Sequence, residues 1–146
     1  MKNLFINSCP VIMAIKPKFA KLIYEEKKQW EFRKVPPPLM RVVYVYESEP
    51  VSTITGTLFF RSKVEGIVDD VWETVTRGKV FDRNGTGIGL ETLKAYVGNH
   101  PTVAALRVAC PERIEKPVKI AFRPPMNWCT IDAISRRRVT DGGIQP

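Results

Sequence analysis

The chain has 146 residues, 44% of them hydrophobic and 26% charged, a composition typical of one globular domain rather than a disordered segment. Its 23 lysines and arginines outnumber 15 acidic residues, and the formal net charge of +8 favours anionic partners such as nucleic acid. No apolar stretch approaches the ~20 residues that cross a bilayer, and the apolar start of the chain is too short for a signal peptide, so we expect a cytoplasmic protein without a membrane partner.

The first predicted elements are a buried strand and an amphipathic helix. The apolar run 11–16 ends before Pro17, and the residue before a proline favours extended geometry. Pro17 suits the first turn of a helix, whose buried face would carry Phe19, Leu22 and Ile23. The opposite face of this helix is predicted to be exposed and charged: Lys18, Lys21, Glu25 and Lys28.

The stretch 30–33 alternates aromatic and charged residues. In a strand, Trp30 and Phe32 share one face, while Glu31 and Arg33 share the other. Two opposite charges would then lie side by side next to the end of a helix. This pattern predicts a polar site on a rigid element.

The rest of the chain is predicted to form a hairpin, two helices and two further strands. Segments rich in β-branched and aromatic residues predict strands, and apolar positions at helical spacing predict helices. The segments are the hairpin 41–46 and 51–61, the helices 64–75 and 90–97, the strands 103–110 and 117–122, and a last apolar run 126–134. We expect Trp72 and Trp128 in the core. Tyr44 and Tyr46 share a strand face, and we favour core packing for them over the alternative, an exposed face on which they would stack on unpaired bases. Tyr96 is assigned to the inward face of its helix.

Residues 1–134 are predicted to form one domain, because the chain shows no repeat, heptad pattern or internal linker. The tail 135–146 loses all periodicity, and we expect it to be flexible. Its three arginines, 136–138, would either add phosphate contacts or serve solubility alone.

No metal or cofactor site is predicted. Cys9, Cys110 and Cys129 lack Cys-x-x-Cys spacing and lie in or beside apolar runs, which predicts buried thiols. His100 has no second histidine to join it as a metal ligand.

Three glycines, Gly85, Gly87 and Gly89, precede the predicted helix 90–97. Glycines before a helix can let the backbone approach a phosphate group. However, the preceding segment 79–84 is not a convincing buried strand, and no Lys-Ser or Lys-Thr pair follows the glycines. The pattern therefore favours a flexible loop over a nucleotide site.

The positive charge is concentrated near the start of the chain. Residues 1–41 hold nine lysines and arginines against three acidic residues, a balance of +6, whereas the other 105 residues carry +2. Such a concentration is expected of a localised anion-binding face, and equally of a lysine-rich face that is only solvated.

The motif Lys28-x-x-Glu31-x-Arg33 resembles the signature of the activating signal cointegrator homology (ASCH) domain, Gly-x-Lys-x-x-Glu-x-Arg after the first helix. The resemblance covers most of residues 10–132 and includes the proline-led aromatic segment 124–128. The chain departs from the signature at Glu26, which stands where the glycine is expected. A charged residue there predicts that the helix runs on for a further turn.

The resemblance implies an α+β fold, a small PUA-like mixed β-barrel with two or three helices packed against it. It also implies RNA binding in a basic cleft between the barrel and the helices. By match to the motif, Lys28, Glu31 and Arg33 would line this cleft, and the neighbouring Lys16 and Lys34 complete the predicted nucleic-acid-binding set. Lys28 and Arg33 would contact phosphate or a base edge, while Glu31 orients Arg33 or accepts from a base amino group.

Four alternatives to RNA binding stay open. The first alternative is a buried ion-pair cluster of the three motif residues that closes the mouth of the barrel. A ribonuclease would use Glu31 as general base, with Lys28 and Arg33 stabilising phosphate. Some relatives hydrolyse acetylated cytidine with a threonine nucleophile, but Glu31 occupies the threonine position, which disfavours that activity. A protein-interaction module is the last alternative.

Overall fold

The computed structural model describes residues 9–77 and 85–131, and within these ranges it contains one six-stranded sheet and three helices. The elements are β1 (Val11–Ile15), α1 (Pro17–Tyr24), β2 (Trp30–Arg33), β3 (Val43–Glu47), β4 (Thr53–Gly66), α2 (Val68–Thr76), α3 (Leu90–Val97), β5 (Val103–Val118) and β6 (Trp128–Thr130). The strand order is β2-β5-β4-β3-β1-β6, with β1 parallel to β3 and the other neighbours antiparallel. The sheet curls into a half-barrel, which confirms the predicted α+β class.

Side chains connect the two edge regions of the curled sheet. Arg33, the last residue of β2, donates from Nη2 to the carbonyl oxygen of Ala14 in β1 at 3.0 Å, and from Nη1 to Oδ1 of Asn127 just before β6. The indole Nε1 of Trp128 donates to the carbonyl oxygen of Val35 at 2.8 Å. The open side of the half-barrel is therefore bridged around Arg33.

The helices pack on the sheet through their apolar faces. α1 buries Ala20 and Ile23 in one core cluster with residues of β1, β3, β4 and β5, while α2 and α3 share a second cluster with Phe32 of β2. The ring centroids of Phe32 and Trp72 lie 6.4 Å apart in a stacked arrangement, so the prediction of a buried Trp72 is confirmed. Tyr46 is buried as expected, whereas Trp128 and Tyr44 are half-buried at the margin of the core.

Two predicted boundaries were wrong because strand pairing overrides local periodicity. β4 stays paired with β5 as far as Gly66, so the helix predicted over 64–75 begins only at Val68. Likewise β5 is one continuous strand to Val118, where the sequence predicted separate strands over 103–110 and 117–122. Long antiparallel pairing satisfies the backbone hydrogen-bond donors and acceptors of both strands. The spacing of apolar side chains in the sequence does not reveal this pairing.

The prediction of buried cysteines was also wrong: Cys9, Cys110 and Cys129 are exposed. Cys110 lies at an irregularity in the pairing of β4 with β5 and has a positive φ of 50°, and a bulge of this kind redirects a side chain. Cys129 lies in the edge strand β6. Although Cys129 is exposed overall, partial desolvation of its thiol raises the thiol pKa above its ordinary value.

Several predictions fall on residues that the structure does not describe. These are the tail 135–146, the end of the run 126–134 and the segment 79–84. Among the helices that are described, none combines the length and apolar character needed to span a membrane.

Candidate functional site

A cavity of about 410 Å³ is lined by residues from α1, α3 and the ends of several strands. Cations and aromatic rings form much of its lining: Lys16, Lys18, Lys28, Arg33, Phe19 and Tyr96. Lys16 and Lys18 are exposed, whereas the side chain of Lys28 is buried and that of Arg33 is only 13% exposed. The cavity thus combines an exposed basic region with a buried charged one.

Lys28 is only 2% exposed, because the chain turns inward after α1. The helix ends at Tyr24, and Glu26 adopts a left-handed conformation with φ of 59°, which is the conformation that glycine adopts at least cost. The expected further helical turn was therefore wrong, and so was the placement of Lys28 on an exposed helix face. Glu26, which stands at the glycine position of the signature, therefore adopts a left-handed turn despite its side chain.

The buried ammonium group of Lys28 has several partners. Its Nζ donates to the carbonyl oxygen of Thr86 at 2.5 Å and lies 3.4 Å from Oε1 of Glu31. It also lies 5.4 Å from the ring centroids of both Phe19 and Phe32. Aromatic faces and a carboxylate both attract a cation, so these contacts offset the cost of removing the charge from water.

Glu31 lies between the buried Lys28 and the partly buried Arg33, and it is itself 5% exposed. Its Oε2 accepts from Nη2 of Arg33 at 2.6 Å, while its Oε1 faces Lys28. Burial alone would raise the pKa of Glu31, but the charges of Arg33 and Lys28, with their hydrogen bonds, outweigh burial and lower the pKa. Glu31 is therefore ionised at neutral pH and binds a proton weakly.

The glycine loop packs directly on this buried cluster. Gly87 has a φ of 74°, and a Cβ at this position would lie 2.7 Å from Cδ of Lys28. Gly85 has a φ of 82°, and a Cβ there would lie 2.9 Å from Gln29. The absence of side chains lets the loop approach closely enough for the Thr86 carbonyl to accept from Lys28. The sequence favoured a flexible loop, whereas Gly85 to Gly87 are closely packed.

Four of the five predicted nucleic-acid-binding residues line the cavity: Lys16, Lys28, Glu31 and Arg33. The fifth, Lys34, lies outside the cavity lining, and its Nζ is 5.0 Å from the ring centroid of Tyr96. The motif thus brings its three charged residues together as a contiguous cluster in the described structure.

Sequence reasoning missed three contributors to the site. Lys18 was assigned only to a charged helix face, although its position two residues after Lys16 across the start of α1 indicates a shared surface. Tyr96 was placed on the buried face of its helix, but it is 41% exposed. Asn127 holds Arg33 from 94 residues away, and no local pattern reports a contact at that separation.

No metal centre is visible in the part of the chain that the structure describes. Its histidine, cysteine, aspartate and glutamate side chains form no group of three or more that is placed to hold a metal ion. What the cavity offers chemically is hydrogen bonding, positive charge and aromatic surface.

Comparison with known proteins places this arrangement in context. No protein-family model matches the chain. It is 32% identical over 68 residues to the ASCH domain-containing ribonuclease of Zymomonas mobilis, a match that covers 45% of this chain and only 46% of that relative. The crystal structure of the ASCH protein of Zymomonas mobilis has a TM-score of 0.72 at 20% identity, covering 90% of this chain and 94% of that chain. A point variant of that protein gives 0.73 at 19% identity, covering 90% and 96%. These matches confirm the resemblance to ASCH domains, and the solved structures show that the chain has the fold of the Zymomonas mobilis ASCH protein.

Proposed function

We propose that this protein binds single-stranded RNA and takes one unpaired nucleotide into the cavity. The observation that carries the proposal is the lining of the cavity, where exposed Lys16 and Lys18 accompany the buried Lys28–Glu31–Arg33 cluster. The volume of about 410 Å³ is within the range of roughly 300–1,000 Å³ found for small-ligand sites. A base stacked inside a duplex cannot enter such a cavity, so an unpaired nucleotide is the better ligand.

RNA is favoured among anionic partners by the comparison with the Zymomonas mobilis relative, which is named as a ribonuclease. The excess of lysine and arginine over acidic residues adds a general attraction for polyanions. Neither argument specifies an RNA sequence.

The residues of the site take different roles in this proposal. Lys16 and Lys18 are exposed and contact phosphate. Arg33 is a positioning residue, because its guanidinium already donates to Glu31, Ala14 and Asn127. The buried cluster presents a polar wall to the base, with Glu31 as acceptor for a base amino group.

A salt titration tests the electrostatic part of the proposal. The affinity for a short single-stranded RNA should fall as salt rises, and Lys16→Ala or Lys18→Ala should each reduce the slope of log K against log [salt] by about 0.7. Lys116→Ala is the matched control, because it removes an exposed lysine from β5 that does not line the cavity. Binding that ignores salt, or an equal effect of the control, would contradict the proposed contacts.

A second experiment tests the cavity itself. Thr92 lines the cavity from an exposed position on α3, so Thr92→Trp should obstruct the cavity without disturbing the core. Glu91→Trp places the same side chain one residue away, at an exposed position outside the lining. We expect RNA affinity to fall in the first variant only. Equal affinity of the two variants would remove the cavity from the proposal.

Cleavage of RNA is the second candidate function, favoured by the name of the Zymomonas mobilis relative. Its difficulty is the general base, since Lys28 and Arg33 stabilise ionised Glu31 and a carboxylate of lowered pKa takes up a proton poorly. The same ion pairs make Glu31 a poor nucleophile for amide hydrolysis. Incubation with end-labelled RNA tests cleavage, and activity that persists in Glu31→Gln would exclude Glu31 as the base.

A further inference from the structure

We infer a second nucleotide subsite at Tyr96, where the base next to the one in the cavity stacks on the tyrosine ring. The ligand is then a single strand of at least two nucleotides rather than a free nucleoside. This inference rests on the proposed RNA binding and specifies its substrate class.

Tyr96 is both part of the cavity and open to solvent. It lies in the last turn of α3, a helix whose Leu93 and Val97 are buried in the core, and it is itself 41% exposed. Its hydroxyl oxygen accepts from the backbone N–H of Lys34 at 3.3 Å. A ring fixed at both ends loses little conformational freedom on binding, which suits it as a stacking surface.

The surroundings of Tyr96 match the chemistry of a nucleotide. Lys34 places its Nζ 5.0 Å from the ring centroid, where it can also reach a phosphate next to a stacked base. Two exposed apolar side chains lie on neighbouring segments, Val35 at 56% and Met126 at 96% exposure. The hydrogen bond from Trp128 to the carbonyl of Val35 holds these segments together.

A cation, an exposed aromatic ring and exposed apolar side chains in one region suit a single-stranded nucleic acid, which offers a π-face and a phosphate in every nucleotide. Because Tyr96 also lines the cavity, a base stacked on it would adjoin the base inside. Successive nucleotides of one strand would therefore occupy the two positions.

The test compares a nucleoside monophosphate with a short RNA that carries 2-aminopurine beside the nucleotide bound in the cavity. Tyr96→Ala should weaken binding of the short RNA by about 5- to 150-fold more than it weakens binding of the monophosphate, because only the short RNA places a base on the tyrosine ring. Tyr96→Phe should retain most of the affinity, because the ring face remains. Stacking should quench the 2-aminopurine fluorescence in the wild type and in Tyr96→Phe, but not in Tyr96→Ala.

Ile67→Ala is the control, since Ile67 is an exposed apolar residue that does not line the cavity; it should change neither affinity nor quenching. Equal losses for the monophosphate and the short RNA in Tyr96→Ala, or quenching that survives in this variant, would overturn the subsite and leave the cavity proposal standing. A wild-type protein that binds none of these ligands would overturn the proposed function and the subsite with it.

Discussion

The ammonium group of Lys28 and the backbone carbonyl of Thr86 form a buried hydrogen bond of 2.5 Å between residues 58 positions apart. The contact joins the turn after α1 to the glycine loop before α3. Lys28 also faces Glu31, which in turn binds Arg33, so the loop, the turn and β2 meet at one charged cluster. The position of Lys28 in the cavity therefore depends on the close approach of the loop.

Gly87→Ala should disturb this approach. The new Cβ would lie 2.7 Å from Cδ of Lys28, at a position whose φ of 74° is unfavourable for alanine. We expect a loss of about 1–3 kcal/mol in the free energy of unfolding, measured by urea denaturation. We also expect weaker RNA binding at neutral pH, because Lys28 must shift.

Gly89→Ala is the matched control for this loop. A Cβ at Gly89 meets no atom within 4 Å, and its φ of −87° is accessible to alanine. This variant should keep both its stability and its RNA affinity close to those of the wild type. Equal behaviour of the two alanine variants would mean that the loop does not position Lys28.

Arg33→Ala should destabilise the fold by removing the bridge across the open side of the half-barrel. The substitution leaves the buried carboxylate of Glu31 with one cation fewer and the Asn127 amide without its guanidinium partner. Loss of one partner of a buried ion pair costs about 3–5 kcal/mol. Arg33→Lys keeps the charge but not the planar fork, so its free energy of unfolding should be intermediate.

Arg113→Ala is the comparison for this effect. Arg113 is an exposed arginine that lies 3.9 Å from Glu47 and over the ring of Tyr24. Its removal should cost less than about 1 kcal/mol. If both arginine variants lose the same stability in urea, the bridging role of Arg33 is refuted.

Local patterns predicted the first half of the fold well. Alternation identified β2, proline and apolar spacing identified β1 and α1, and segments rich in β-branched and aromatic residues identified the hairpin of β3 and β4. The errors arose where distant pairing decides the structure. The spacing of Val64 and Ile67 is helical, yet Val64 pairs with Ala105 as part of β4.

The residues of the site could be predicted from the sequence, but the burial of Lys28 could not. The motif named Lys28, Glu31 and Arg33, and the structure brings the three together. The burial of Lys28 depends on a left-handed residue at Glu26 and on the glycine loop, neither of which a helical pattern reveals. A charged residue is expected to be exposed unless a partner is known. Sequence patterns therefore miss the burial of a lysine whose partners are distant in the chain.

Glu26→Gly should stabilise the protein. The left-handed φ of 59° costs a residue other than glycine about 1–3 kcal/mol in the folded state, and Glu26→Gly removes this cost. Part of that gain is offset, because glycine also gives the unfolded chain more conformational freedom. The net expectation is a gain of about 1 kcal/mol in the free energy of unfolding, measured in urea. Glu25→Gly, one residue earlier and with an ordinary φ of −82°, should instead lose stability. Destabilisation by Glu26→Gly would contradict this account of the turn.

The contribution of Glu31 to stability should depend on pH. Because the folded-state pKa of Glu31 is lowered from its ordinary 4.5, the carboxylate stabilises the fold fully above pH 4.5, and this stabilisation is lost as pH falls through the folded-state pKa. Glu31→Gln should be less stable than the wild type at pH 7, since two buried cations lose their counter-charge. The difference in unfolding free energy should narrow below pH 4.5. Glu115→Gln, at an exposed position in β5, controls for the loss of one negative charge. If wild type and Glu31→Gln differ in unfolding free energy by the same amount at pH 7 and pH 3, ionised Glu31 does not hold the cluster together.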